Sequence, residues 1–228
     1  MTSASPIRAI LFDMDGVIVS TQEQHARSEH LAFLEFGLDI APAEITRRYA
    51  GFVDRALFAD GLRTSGKDHS PETIDRITSL KWKLMDRIVQ NEGLALIPGA
   101  LELILAFRND GLPLAIASSS PMSFIDRVME HCLIGEYFKA LTSGHEVKHG
   151  KPAPDIFLLA ASRLGARPEE CLVIEDARSG MQGAKSANMF CLGLWPKSSG
   201  ECPADLTVES FEGLNHRRLL DELVKAKK

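Results

Sequence analysis

The sequence has no apolar run of membrane-spanning length and no segment dense in Lys and Arg. Acidic side chains number 31 against 26 basic ones in 228 residues, and the net charge of −5 argues against nucleic acid as the main partner. Residues 1–6 contain no apolar stretch of the kind found in a secretion signal. We therefore expect a cytoplasmic protein without a membrane or nucleic-acid partner, present as a monomer or a weak homo-oligomer.

Cysteine is also scarce, and its positions do not suggest a metal site or a disulfide framework. The chain has no C-x-x-C pair and no metal-ligand spacing among its four cysteines, Cys132, Cys171, Cys191 and Cys202. Free thiols in a reducing cytosol are the expected state. His145 and His149 are four residues apart, but they precede Gly150 and Pro152 in a predicted loop, so we do not expect them to bind zinc.

The pattern of apolar segments predicts an α/β fold with a helical insertion. Apolar runs that predict strands lie at 9–12, 112–117, 138–141, 171–174 and 190–194, and the last four alternate with helical segments. No convincing strand occurs from 21 to 92, where Ser70 and Pro71 are a good helix start. We predict a Rossmann-like, doubly wound parallel sheet core formed by 1–20 and 93–228. An all-helical cap domain formed by 21–92 is inserted into it.

Two carboxylates and a glycine follow the first predicted strand. Asp13 and Asp15 leave the strand in the same general direction, and Gly16 allows the backbone to turn closely around a ligand. Ligands bind at the carboxyl ends of the strands in open α/β sheets, so these acids suggest metal-assisted chemistry. The alternative is a solvated turn, since Asp and Gly are common turn residues.

Polar residues also stand at the ends of three later strands. Ser118 follows one apolar strand, Lys151 lies in a loop stiffened by prolines, and Glu175 and Asp176 end another strand. Each has an ordinary alternative, respectively a helix-capping serine, a solvated lysine and solvated loop acids. Together they would supply a hydroxyl, a cation and paired acids, and paired acids suit a hard cation.

The order of these residues resembles the four motifs of the haloacid dehalogenase (HAD) superfamily of phosphotransferases. The matches are Asp13-Met14-Asp15-Gly16, then Ser118, then Lys151, then Glu175-Asp176. Residues 151–157, Lys-Pro-Ala-Pro-Asp-Ile-Phe, look like the branch that contains β-phosphoglucomutase and its sugar-phosphatase relatives, and so does the segment that begins at Glu175. That branch carries a helical cap just after the first motif, where residues 21–92 fall.

The resemblance implies a phosphoryl-transfer mechanism. Asp13 would be the nucleophile that forms an aspartyl-phosphate, and Asp15 the general acid and base. Mg²⁺ would be held by Asp13, the Asp15 backbone carbonyl and Asp176, with Glu175 assisting. Two carboxylates about 4 Å apart repel by roughly 4 kcal/mol at an effective dielectric of 20, so a cation is needed.

The resemblance also implies which residues meet the phosphoryl group. Lys151 would neutralise charge beside the nucleophile, and Ser118 and Ser119 would hold phosphoryl oxygens. Gly16 would let the backbone approach the substrate. Because the superfamily's true dehalogenases lack the second motif-one aspartate, the presence of Asp15 argues against carbon–halogen hydrolysis.

The sequence favours a phosphatase over a β-phosphoglucomutase-type mutase. His25 matches in spacing a histidine near the mutase's cap hinge, although many phosphatases of the branch carry one too. Gly51 and Arg55 fall where the mutase presents a substrate-contacting loop, but not in its clean motif. Pro121 and Met122 stand where a mutase would have Lys and Asn.

The expected substrate is a small phosphorylated metabolite, such as a sugar phosphate, and the expected cofactor is Mg²⁺. His25 and Arg55 are candidate substrate-binding residues of the cap, and Lys81 and Lys83 could add positive charge there. Solvated surface is the alternative for the cap's Arg and Lys side chains. A non-catalytic binding protein with this fold is a further alternative, although it would be expected to have lost Asp13, Asp15 or Lys151.

Overall fold

The computed structural model describes residues 6–49 and 53–227, which divide into two compact units. The first unit comprises the described residues up to Ser20 and those from Ala95 onward, and the second comprises those within Thr21–Leu94. The second unit is therefore inserted into the sequence of the first, just after its first strand. The second unit ends at Leu94, two residues beyond the end expected for the cap at residue 92.

The first unit contains a six-stranded parallel sheet. Its strands in chain order are β1 (Ala9–Phe12), β2 (Leu114–Ser118), β3 (Ala140–Ser143), β4 (Cys171–Glu175), β5 (Phe190–Leu194) and β6 (Leu206–Val208). Their order across the sheet is β3-β2-β1-β4-β5-β6, and every neighbouring pair is parallel. From β1 to β3 the chain runs from the centre of the sheet to one edge. It then returns to the centre, and β4 to β6 run to the other edge. The predicted fold class is confirmed, and β1 and β4 flank the point where the direction of building reverses.

Helices cover both faces of this sheet. They are α5 (Ala100–Asn109), α6 (Met122–His131), α7 (Asp155–Leu164), α8 (Arg178–Ser186) and α9 (His216–Ala226). On one face, Phe157 of α7 and Met181 of α8 pack with Leu11 and Val173 in a single buried cluster. On the other, Phe12 meets Phe107 of α5, with ring centroids 6.3 Å apart. Because successive strand residues point to opposite faces, nearly continuous apolar runs such as Ala9–Phe12 serve both layers.

The strand boundaries differ from the predicted ones for local reasons. The second strand starts at Leu114 rather than 112, because the N–H of Leu112 closes the preceding helix by bonding to Phe107 and Pro113 has no N–H. The third starts at Ala140 rather than 138, because the N–H of Phe138 still belongs to a 3₁₀ turn. β6 was not predicted from the sequence, since three half-buried or exposed residues carry little pattern.

The second unit is helical in its described part. Its helices are α1 (Gln22–Glu35), α2 (Pro42–Tyr49), α3 (Asp54–Thr64) and α4 (Pro71–Glu92). The predicted start of α4 is confirmed, because the Ser70 hydroxyl accepts the Thr73 N–H and Pro71 is the first helical residue. Phe33 and Phe58 meet edge to face at 5.1 Å within a core of its own.

Among the described residues, none forms a helix that is both long and apolar enough to cross a bilayer.

Candidate active site

The polar residues predicted to work together converge at the carboxyl ends of the central strands. Asp13 follows β1, Ser118 ends β2, and Glu175 ends β4 beside Asp176. Lys151 lies in the segment that leads from β3 to α7. The group therefore surrounds the β1–β4 pair, the place where ligands bind in doubly wound sheets.

A tight turn after β1 determines the positions of Asp13 and Asp15. The carbonyl of Met14 accepts the N–H groups of Ile18 and Val19, at 2.9 and 3.1 Å, so the chain folds back at once. Gly16 stands in the middle with a φ of +86°, a conformation that strains other residues. A Cβ on Gly16 would also overlap the carboxylate of Asp176. This glycine therefore lets the first turn and the end of β4 come close together.

Lys151 joins the two sides of the site. Its Nζ is 2.5 Å from Asp13 Oδ1 and 2.5 Å from Glu175 Oε1. All three side chains are less than a tenth exposed. An ion pair with so little solvent screening holds its members firmly, and removal of one partner is costly. The ammonium thus fixes the carboxylate that the sequence predicts to be the nucleophile.

Glu175 is held by its own backbone and by a glycine on the next helix. Its Oε2 accepts the N–H groups of Asp176 and Ala177, each at 2.9 Å. A Cβ on Gly180 would overlap the carboxylate of Glu175. Sequence reasoning did not single out Gly180, although it lies in the segment that resembles the fourth family motif. The glycine leaves the space that Glu175 needs to reach Lys151.

The acids of the site are crowded enough to perturb their protonation. Burial, together with the charges of Glu175, Asp176 and Asp15, holds the pKa of Asp13 well above its usual range despite Lys151. Burial and the charge of Glu175 raise the pKa of Asp176 to about 7. Burial disfavours the charged form of Lys151, but the charges of Asp13 and Glu175 outweigh it, so its pKa is also raised. One lysine does not balance this concentration of negative charge.

The same crowding fits a divalent cation. Carboxylate oxygens of Asp13, Glu175 and Asp176 lie within 4.8 Å of one another. This donor set consists of hard oxygens, which Mg²⁺ prefers, and a cation would relieve the repulsion that raises the pKa of Asp176. The residues present therefore fit the expected ion.

Two serine hydroxyls lie against Asp15. The Oγ of Ser118 is 3.3 Å from Asp15 Oδ2, and the Oγ of Ser120 is 2.8 Å from the same oxygen. Both serines are buried, whereas Ser119 between them is exposed. Ser120 was not among the residues predicted from the sequence. Its signal was its position two residues beyond the strand end, on the same side of the chain as Ser118.

Comparison with known proteins identifies the family. The family model of haloacid dehalogenase-like hydrolases matches residues 7–188, which include every residue of the cluster just described. The chain belongs to the haloacid dehalogenase-like hydrolases. The resemblance seen in the four motifs is thereby confirmed, and membership of this family supports phosphoric monoester hydrolysis as the activity.

The relatives of this hydrolase include phosphatases. It is 31% identical to a phosphoglycolate phosphatase of Salmonella typhimurium over 94% of this chain and 93% of that protein. It is 34% identical over 82% of its length to the chloroplastic protein SUPPRESSOR OF QUENCHING 1 of Arabidopsis thaliana, of which it spans only 18%. Among solved structures, a β-phosphoglucomutase of Clostridium difficile matches with a TM-score of 0.85 and 25% identity, covering 96% of this chain and 98% of that one.

The second unit of this hydrolase carries the remaining predicted residues. His25 Nδ1 is 3.0 Å from the Nζ of Lys81, which also lies 3.1 Å from Asp54 and 3.6 Å from the centre of the Trp82 ring. Lys81 is fully buried, so the solvated alternative for this residue is wrong. Burial raises the pKa of Glu29, which lies near this group.

The other cap candidates are peripheral within the second unit. Arg55 forms an ion pair with Asp75 and its side chain is more than half exposed. Lys83 is exposed on α4. Gly51, named with Arg55 as part of a substrate-contacting loop, lies outside the described residues.

Proposed function

We propose that this hydrolase is a Mg²⁺-dependent phosphatase that acts on a small phosphorylated metabolite, such as a sugar phosphate, through an aspartyl-phosphate. The observation that carries the proposal is the contact of Lys151 with both Asp13 and Glu175, at 2.5 Å each, beside the carboxylate of Asp176. A buried nucleophile next to a fixed cation and an oxygen-rich metal site is what phosphoryl transfer to a carboxylate requires.

In the first half of the reaction, a carboxylate oxygen of Asp13 attacks phosphorus. The bond from phosphorus to the ester oxygen breaks, and that oxygen takes a proton from Asp15. Lys151 offsets the charge of Asp13 and of the phosphoryl group, while Ser118 and backbone N–H groups near Ser119 hold phosphoryl oxygens. Bound Mg²⁺, held by Asp13, Asp176 and the Asp15 carbonyl with Glu175 assisting, would neutralise negative charge where nucleophile and phosphate meet.

In the second half, Asp15 takes a proton from water, and the water oxygen attacks phosphorus. The bond between phosphorus and Asp13 breaks, which releases phosphate and restores the carboxylate. Gly16 lets the backbone come close to the reacting group, and its neighbour Asp15 is returned to its acid form for the next cycle. We assign substrate binding also to His25 and Arg55 of the cap. The location that we propose is a reducing cytoplasm, which fits four free cysteines.

A phosphomutase is the second candidate, because a β-phosphoglucomutase matches almost the whole chain in structure. In a mutase, a sugar hydroxyl rather than water would receive the phosphoryl group. Pro121 and Met122 argue against it, because both are apolar and stand directly after the serines, as the N-cap and the first residue of α6. An ammonium or amide side chain there could hold a second phosphate, and these residues supply neither.

The experiment is a Mg²⁺-dependent assay on a panel of phosphorylated metabolites that includes phosphoglycolate and β-glucose 1-phosphate. Free phosphate and sugar-phosphate isomers are both quantified. Phosphate release that Asp13→Asn abolishes supports the phosphatase, whereas isomer formation without net release supports the mutase. Asp15→Asn should slow turnover severely while the protein still binds Mg²⁺, and full activity of either variant would contradict the assignment.

A further inference from the structure

Ser120 is fixed more firmly than a loop serine needs to be. Its side chain is buried, and its Oγ donates to Asp15 Oδ2 at 2.8 Å. Its N–H donates to the Oγ of Ser118 at 3.1 Å, and its carbonyl accepts the hydroxyl of Ser143 at 2.7 Å. The N–H, the carbonyl and the hydroxyl of Ser120 therefore all form hydrogen bonds, and each bond constrains the position of the Oγ.

The sheet register explains why this arrangement is rigid. Ser118 and Ser143 are paired at the ends of the adjacent parallel strands β2 and β3. Ser143 is itself fully buried, and its N–H donates to Glu146, whose carboxylate is in turn paired with Arg163. The carbonyl of Ser120 is thus tied to the neighbouring strand, so its hydroxyl has a defined position before any ligand arrives.

We propose that Ser120 is a positioning residue that holds the carboxyl group of Asp15 in the orientation required for proton transfer. This inference rests on the proposed phosphatase function. Ser118 also touches Asp15 Oδ2, but at 3.3 Å, and its hydroxyl has a second task at the phosphoryl group. When substrate draws the Ser118 hydroxyl away, Ser120 still restrains Asp15.

The restraint matters most when the leaving group is a poor one. As phosphorus bonds to Asp13, the ester oxygen keeps the electron pair of the breaking bond and must take a proton from Asp15. An Oδ2 that accepts the Ser120 hydroxyl is a poor place for that proton, so the proton belongs on Oδ1. By fixing Oδ2, Ser120 also fixes the direction in which Oδ1 presents its proton.

Leaving-group dependence therefore tests the role of Ser120. We compare kcat/KM, which reports the steps up to phosphoenzyme formation, for an alkyl phosphate and for 4-nitrophenyl phosphate. The alkyl leaving group needs protonation, whereas nitrophenolate leaves without it. Ser120→Ala should lower kcat/KM for the alkyl ester at least tenfold more than for the aryl ester. Ser120→Thr, which keeps the hydroxyl, should restore most of the difference.

A matched control removes a different buried hydroxyl. Thr73, near the start of α4, is buried, and its Oγ1 donates to Asp68 rather than contacting Asp15 or the residues that hold Ser120. Thr73→Val should therefore change the two kcat/KM values equally. If Ser120→Ala does not fold, as judged by circular dichroism, Ser120→Cys keeps the volume with a weaker donor and should show the same selective loss to a smaller degree.

Three outcomes in the Ser120 variants would overturn the inference. Equal losses on both esters in the Ser120 variants would mean that Ser120 only supports the fold, and no loss would mean that Asp15 is positioned without it. If Ser120→Thr lost kcat/KM for the alkyl ester as selectively as Ser120→Ala, the hydroxyl would not be the group that positions Asp15. In each of these cases the phosphatase function would still be supported if wild type turned over the esters and the Asp13→Asn variant did not. If wild type turned over neither ester and no phosphate of the metabolite panel, the phosphatase function and the role of Ser120 would both fall.

Discussion

Gly180→Ala is the sharpest test of how the site is built, because two physical effects oppose each other. Gly180 lies inside α8, where alanine stabilises a helix relative to glycine by about 1 kcal/mol. Helix propensity alone therefore predicts a more stable protein. The geometry predicts the opposite, since the added Cβ would overlap the carboxylate of Glu175.

The size of the expected loss follows from what Glu175 would give up. Displacing its carboxylate breaks its buried ion pair with Lys151 and its two bonds from backbone N–H groups. Breaking a buried pair by removing one partner costs roughly 3–5 kcal/mol. After the gain in helix propensity, the free energy of unfolding should fall by about 2–4 kcal/mol.

For a chain of 228 residues, such a loss corresponds to a Tm lower by roughly 4–16 °C. Differential scanning calorimetry measures it, and the phosphatase assay should show reduced kcat because Lys151 loses an anchor. Gln182→Ala, an exposed change on the same helix, is the control and should leave both values nearly unchanged. A Gly180→Ala variant as stable and as active as wild type would refute the role given to Glu175.

Three further predictions concern charge and local structure. The pKa of Asp176 is raised to about 7 in the native state, whereas an unfolded Asp has a pKa of about 3.9. Between these pH values the native state therefore binds more protons than the unfolded state. In chelator the free energy of unfolding should therefore fall as pH rises through this window, by about 1.4 kcal/mol per pH unit for each proton. Urea titrations at several pH values measure it, and a rise would contradict the pKa. Lys151→Met leaves two buried carboxylates without their cation and should cost about 3–5 kcal/mol in urea unfolding, whereas the exposed Lys148→Met should cost little. Ser70→Ala removes the N-cap of α4 and should cost about 1 kcal/mol, seen as faster amide exchange in its first turn; unchanged exchange at Thr73 would contradict the cap.

The parts of the fold with strong local patterns could be predicted from the sequence. The strand Phe190–Leu194 was predicted with its observed bounds, because it belongs to an apolar run between Asn188 and Pro196. The start of α4 was predicted from Ser70 and Pro71, a cap whose chemistry is local. The convergence of strand-end residues followed from topology, since parallel strands place their carboxyl ends at one edge.

What could not be predicted depends on contacts between distant segments. β6 is too short to carry a pattern of its own and exists because it pairs with β5. The contact of Ser120 with Asp15 spans 105 positions of the chain, so the residue looked like one more serine of a loop. The burial of Lys81 depends on partners from α1 and α3, which a helical-face pattern of α4 alone does not reveal.

The most direct test of the central claim is to find where the phosphoryl group goes. Wild-type protein is mixed with Mg²⁺ and its best substrate, quenched in acid within milliseconds, digested, and analysed by mass spectrometry. We predict a phosphoryl group on the peptide that carries Asp13, sensitive to hydroxylamine and missing from Asp13→Asn. A substrate that turns over at full rate while the label falls on another residue, or on none, would contradict the account.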